Sequence, residues 1–175
     1  MTPDDDLRRH IADVPDFPKP GILFRDLTPL LREPAAMRRV IEDLSRWAAE
    51  LEPTVVVGIE SRGFLFGVPI AQELGVGLVP ARKPGKLPRE TLREEYALEY
   101  GTNALEIHRD AIRAGDRALV VDDLLATGGT AAATRRLIER AGGTVAGFGF
   151  VVELESLGGR SRLGDAPVLS LVRYA

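Results

Sequence analysis

The chain has 175 residues, 45% of them hydrophobic, with a formal net charge of -3 and no cysteine. That length and apolar content fit one globular domain, residues 1–175, built around its own core. The charge balance gives no global attraction to nucleic acid, and the missing thiols exclude disulfides, thiolate metal sites and a cysteine nucleophile. No apolar run of about 18 residues and no charged apolar leader occurs, so a cytoplasmic protein without a membrane segment is expected.

Leu7 to Asp13 is predicted as a short helix. Val14-Pro15-Asp16-Phe17-Pro18-Lys19-Pro20-Gly21 cannot continue it, because its prolines impose an extended or turning path. Phe17, Ile22, Leu23 and Phe24 still need burial. They form either a strap over the core or a lid whose aromatic ring stacks on a flat ligand. From Pro34, the residues Met37, Val40, Ile41, Leu44, Trp47, Ala48 and Leu51 recur at helical spacing and predict an amphipathic helix ended by Pro53. Trp47 lies on its apolar stripe, at a core or an interface.

Thr54 to Ile59 is a β-branched run of buried-strand type. Glu60-Ser61-Arg62-Gly63 then turns into a helix reaching about Leu74, with Gly75 as its C-terminal stop. Arg62 at a helix head opposes the macrodipole unless an anion is held there; a solvated arginine is the alternative. Val76 to Ala81 is a strand. Arg82-Lys83-Pro84-Gly85-Lys86-Leu87-Pro88-Arg89-Glu90-Thr91 is a cationic loop, serving either as a lid or as plain solvated surface. Glu95 to Tyr100 and Leu105 to His108 read as hairpin arms around Gly101-Thr102-Asn103. By itself Glu99 would be a solvent-facing strand residue. His108 is expected to be structural and His10 a surface residue.

Arg117 to Val121 forms the next strand, Thr130 to Arg140 a helix, Val145 to Leu154 a strand, and Val168 to Val172 the last strand. Alternating strands and helices imply an α/β fold with a mainly parallel twisted sheet flanked by helices, and ligands at the carboxyl ends of the strands. The turns after the strands ending at Ile59, Ala81 and Val121 would then share one site.

The richest stretch reads A-L-V-V-D-D-L-L-A-T-G-G-T-A from Ala118 to Ala131. A strand feeding a helix through a Gly and Thr loop turns N–H groups toward an anion, and Thr127 and Thr130 add hydroxyls. Gly128 and Gly129 let the backbone approach a ligand. Asp122 and Asp123, as ionised carboxylates, could accept from a sugar diol or attract a hydrated divalent cation. A phosphorylated sugar satisfies all of these groups together. No Walker loop occurs, and Gly75-Val76-Gly77 lacks the third glycine of a dinucleotide fingerprint.

This stretch resembles the phosphoribosyl-diphosphate motif of the type I phosphoribosyltransferases, and V-V-D-D-L-L-A-T-G-G-T resembles the form found in adenine phosphoribosyltransferases. The likeness runs from about Phe17 to Tyr174. F-P-K-P-G-I-L-F-R-D-L-T-P-L-L is similar to that family's base-covering hood, within an N-terminal strap and hood at 1–33. R-K-P-G-K-L-P is similar to its catalytic flexible loop, within a loop and hairpin at 82–108.

The resemblance implies transfer of a phosphoribosyl group from phosphoribosyl diphosphate to adenine, giving AMP and diphosphate, with Mg²⁺ carried by the substrate and no direct protein metal ligand. It implies that Asp122, Asp123, Ala126, Thr127, Gly128, Gly129 and Thr130 bind the phosphoribosyl group. Glu60, Ser61, Arg62, Arg82, Lys83 and Lys86 would meet the diphosphate. Phe24 and Leu154 would sandwich the base, with backbone groups of Leu23 and Arg25 reading its edge. Glu99 would manage the adenine proton, Tyr100 would join the closed loop, and Arg62 would assist catalysis. A homodimer is the family expectation. Glu60 departs conservatively from the Asp of eukaryotic relatives. Two rivals are an oxopurine enzyme, which should lack this hood, and a phosphoribosyl-diphosphate-sensing regulator, which would need a basic face or an added nucleic-acid-binding domain.

Overall fold

The computed structural model describes residues 3–97 and 102–175. A short helix α1 (Pro3–Arg8) leads into an antiparallel ribbon of β1 (Ala12–Pro15) and β2 (Leu23–Asp26). Helices α2 (Thr28–Arg32) and α3 (Pro34–Ala49) follow. The chain then alternates through β3 (Val55–Ile59), α4 (Gly63–Leu74) and β4 (Gly77–Ala81). A hairpin of β5 (Thr91–Ala97) and β6 (Thr102–His108) interrupts the alternation. It resumes with β7 (Arg117–Leu125), α5 (Gly129–Arg140), β8 (Thr144–Leu154) and β9 (Val168–Tyr174).

Five strands make one parallel sheet in the order β4-β3-β7-β8-β9. Burial on both faces explains why β3 is apolar at every position. Alternation along the strand divides the core in two. Val56 joins Leu119, Val121, Phe66, Ile70 and the α3 residues Val40, Ile41 and Leu44 on one face. Val55, Val57 and Ile59 join Val120, Phe148, Phe150, Leu137 and Ile138 on the other. Each large apolar side chain so buried contributes about 1.5–3 kcal/mol.

The apolar stripe read from Met37 to Ala48 is the core-facing side of α3, which ends at Ala49 and leaves Leu51 in the following turn, and Trp47 packs half-buried beside it. A Cβ on Gly147 of β8 would lie 2.6 Å from Leu51 Cδ1 and 3.0 Å from Trp47 Cη2, so this glycine lets α3 lie close on the sheet.

Several expected boundaries change. The first helix ends at Arg8 rather than Asp13, because 12–15 pair with 23–26, and long-range strand pairing overrides the local helical pattern. The hairpin starts at Thr91 rather than Glu95, with Thr91 opposite His108, and Thr102 and Asn103, expected in its turn, belong to β6 opposite Ala97 and Tyr96; Leu98, Glu99 and Tyr100 of the expected first arm and Gly101 of the expected turn lie outside the described residues. Strand β7 continues past Val121 to Leu125, since β8 keeps pairing with it through Leu125 opposite Glu153. The last strand runs on to Tyr174, which pairs with Leu154. Among the described residues no helix is long and apolar enough to cross a membrane.

Candidate active site

In the sheet order, β4 follows β3 on one side, whereas β7, β8 and β9 continue on the other. The order reverses between β3 and β7, and the turns leaving those two strands diverge to opposite faces. This divergence opens a crevice at their carboxyl ends. A cavity of about 560 Å³ sits there, lined by Glu60, Ser61 and Arg62 after β3 and by Asp122, Asp123, Leu124 and Thr130 at and beyond the end of β7. Lys83, Tyr96, Asn103 and Leu105 complete the lining. A smaller niche of about 80 Å³ adjoins it, formed by Ala126, Thr127, Gly128, Gly129, Thr130 and neighbours.

The niche is shaped by backbone geometry. Gly128 adopts φ 77° at the N-terminal cap of α5, and its carbonyl accepts the Ala132 N–H at 2.9 Å. A Cβ there would lie 2.3 Å from Gly159 O, so glycine is required both for the left-handed conformation and for the close approach. The helix N-terminus therefore faces the niche with free N–H groups, the arrangement that favours a phosphate. Thr130 Oγ1 donates to Tyr96 Oη at 3.3 Å, which ties this loop to the hairpin.

The turn after β3 abuts β7 through Gly63, where a Cβ would fall 2.7 Å from Val121 O and 3.0 Å from Asp122 Oδ1. The Glu60–Ser61 peptide is cis. Arg62 reaches back from the head of α4 to form a 2.7 Å ion pair with Asp123, whose side chain is only 6% exposed. Asp123 thus places a negative charge beside the arginine at this helix head. The Arg62 guanidinium also lies 5.6 Å from the centroid of Phe24, bringing the hood to the edge of the site.

Asp122 does not behave as an ordinary ionised carboxylate. Burial pushes its pKa well up, and the charge of Asp123 and a hydrogen bond with that side chain push it further. The Asp123 N–H, donated to Asp122 Oδ1 at 2.9 Å, and the Arg62 charge act in the opposite direction without cancelling the rise. The acidic pair therefore retains a proton more readily than the adjacent letters D-D suggest.

The basic loop is divided in its contacts. Lys83 lines the cavity. Arg82 instead pairs with Glu60 at 3.0 Å, and its guanidinium lies 5.9 Å from the Phe64 centroid. Glu60 also accepts the Lys83 N–H at 3.1 Å. Lys86 is exposed and outside the lining, although its carbonyl accepts from Arg82. Arg82 therefore stands against Glu60, and Lys86 stands on the exposed side of the loop. Buried Glu106 accepts the Gly85 N–H at 3.2 Å and helps to fold the loop.

The hood residues Leu23, Phe24 and Arg25 lie beside the cavity rather than in its wall. Phe24 meets Phe17 edge-on at 5.1 Å, while Leu23 is 46% exposed. Arg25 pairs with Asp13 and stacks 3.8 Å from the centroid of Tyr174. Tyr174 is the register partner of Leu154, so the hood and Leu154 approach the same end of the sheet. Both Leu124 and Leu154 pack half-buried against the adjoining core.

Sequence reading missed Tyr96, Asn103 and Leu105 as wall residues, and also Gly159. The alternation of β6 could have exposed Leu105. Nothing local marks Gly159, whose need for glycine arises from a contact with residues 126 and 128.

Comparison with known proteins agrees with this geometry. The phosphoribosyl transferase domain model matches residues 27–168. The chain is 59% identical to an adenine phosphoribosyltransferase from a Synechococcus strain, over 97% of this chain and 99% of that one. The crystal structure of adenine phosphoribosyltransferase from Thermoanaerobacter pseudethanolicus matches with a TM-score of 0.94 at 48% identity, covering 97% and 99% of the two chains. The Saccharomyces cerevisiae enzyme, complexed with an imino-altritol bisphosphate and adenine, matches with a TM-score of 0.90 at 42% identity, covering 97% and 98%.

Proposed function

The chain belongs to the adenine phosphoribosyltransferase family, and from that membership we propose that it salvages adenine by transferring the phosphoribosyl group of phosphoribosyl diphosphate to it, releasing AMP and diphosphate. The observation that carries the reading is the single crevice in which the acidic pair, the phosphate niche and Arg62 meet beneath the hood. The niche takes the 5-phosphate. Asp122 and Asp123 accept from the ribose hydroxyls, and the net negative charge the pair retains favours positive charge as the ring gains oxocarbenium character at C1.

Arg62 exchanges Asp123 for the leaving diphosphate. Lys83 faces the same anion, and Arg82 and Lys86 reach it when the loop draws in. Phe24 and Leu154 enclose adenine, Leu23 and Arg25 offer backbone groups to its edge, Tyr100 joins the closed loop, and Glu99 handles the proton lost from the base.

The donor set suits a Mg²⁺ that arrives with the substrate. Two neighbouring carboxylates, one of them with a raised pKa, gain from a nearby dication, and Mg²⁺ retains much of its water when few carboxylates face it. When bound, the ion supplies charge neutralisation for the departing diphosphate.

A homodimer in the cytoplasm belongs to the same proposal. Leu65 and Val68 support the dimer, since they leave an apolar stripe on α4 exposed at 48% and 45%. The test of the substrate is turnover with adenine, hypoxanthine, guanine and xanthine in parallel. Adenine should be strongly preferred; preference for an oxopurine would overturn the proposal.

A further inference from the structure

The loop at residues 126–130 has a second neighbour besides the niche. Gly159 packs on its backbone without lining either the cavity or the niche. A Cβ on Gly159 would lie 2.2 Å from Ala126 O and 2.8 Å from Gly128 N, so there is no slack between the two main chains. Gly159 opens a 3₁₀ turn, Gly159–Arg162, whose next residue is tied down from the sheet side. Arg160 Nε donates to Glu153 Oε1 at 3.0 Å, Nη2 to Oε2 at 2.5 Å, and Nη1 to Val168 O at 3.0 Å.

The Glu153 side chain is only 6% exposed. An ion pair at such a depth gives little net stability over apolar packing of equal volume. What apolar packing cannot reproduce is direction, because a planar fork on a carboxylate fixes both distance and angle. Fully buried Leu163 anchors the far side of the turn. With both ends held, the Gly159 carbonyl can only lie against Gly128.

We infer that the Arg160–Glu153 pair is a positioning unit for the phosphate loop. By holding Gly159 against Ala126 and Gly128, it keeps the loop's N–H groups turned toward the niche. Phosphate affinity is then set in part by an ion pair that never touches substrate. This rests on the assignment of residues 126–130 to the 5-phosphate.

The test is the Kd of ribose 5-phosphate by calorimetry, measured well below each variant's thermal midpoint, together with the KM for adenine. Arg160→Lys keeps the charge but loses the fork. The double variant Glu153→Gln/Arg160→Met removes both charges, so no buried ion is left alone if the first variant folds poorly. Gly159→Ala leaves the ion pair and disturbs the loop directly. All three are expected to weaken ribose 5-phosphate by about tenfold or more through lost preorganisation, with the adenine KM within about twofold of wild type. Folded variants that bind like wild type, even if less stable, would overturn the inference alone. A wild-type protein that neither binds ribose 5-phosphate nor makes AMP would overturn the loop assignment as well.

Discussion

Arg62 and Asp123 join the two halves of the crevice by a 2.7 Å ion pair, the cation from the turn after β3 and the anion from the end of β7. Under the proposed assignment, an arriving diphosphate draws Arg62 off this carboxylate. The planar fork of arginine can grip two phosphate oxygens, which a lysine ammonium cannot match. Arg62→Lys is therefore expected to raise the KM for phosphoribosyl diphosphate by about tenfold or more while the adenine KM changes little. Steady-state kinetics with each substrate varied in turn reads this directly.

Asp122 links function to a stability cost. Its folded-state pKa is raised by burial and by Asp123, so the native state favours the protonated form. Its contribution is fully favourable below the unfolded Asp pKa of about 4 and is lost as pH rises through the folded value. Asp122→Asn, which stays neutral, should thus melt at a higher temperature than wild type at pH 7, the gap closing as pH falls below about 4. The same variant should lose about a hundredfold in kcat/KM. Thermal melts across pH check the first half, and AMP formation the second.

Gly63 allows the turn after β3 to rest on β7. An alanine Cβ would sit 2.7 Å from Val121 O and 3.2 Å from Asp122 Cα, both of them backbone of β7 that cannot swing aside. Gly63→Ala is expected to cost about 1–3 kcal/mol of stability by overpacking. Displacement of Arg62 should lower kcat/KM about a hundredfold, as misplacements near 1 Å do. Denaturant unfolding and kinetics on one preparation separate the two effects.

Phe24 already stands beside Arg62 with its ring edge on Phe17. If it stacks on the base, Phe24→Leu retains apolar bulk but loses the aromatic face. The adenine KM should rise about tenfold, with the KM for phosphoribosyl diphosphate within about twofold. Equal changes in both would point instead to general collapse of the hood.

The exposed pair Leu65 and Val68 gives a test of assembly. In analytical ultracentrifugation, wild type should sediment as a dimer and Leu65→Asp/Val68→Asp as a monomer at the same concentration. A wild-type monomer, or a dimer unaffected by two buried charges, would place the interface elsewhere.

Much of this is legible in the sequence. The apolar runs of β3, β7 and β8 are continuous because their sheet is buried on both faces, and that same burial makes them easy to read. The letters D-D-L-L-A-T-G-G-T mark the niche at the head of α5 because strand, acids and helix start lie within one short segment. Long-range relations leave less trace. The segment Ala12–Pro15 cannot be seen as a strand without its partner at 23–26, since pairing with a distant segment decides it. The raised pKa of Asp122 depends on packing, and the demand for glycine at Gly159 depends on residue 128. Arg82 reads as a free cation because nothing in sequence shows that Glu60, on another strand's end, neutralises it.

The most direct measurement is AMP and diphosphate formation from adenine and phosphoribosyl diphosphate by wild type, beside Asp122→Asn/Asp123→Asn and Glu99→Gln. Wild type should yield the two products in equal amounts, and both variants should fall by about a hundredfold or more while remaining folded. Absence of AMP from wild type, or undiminished rates in the variants, would contradict the assignment.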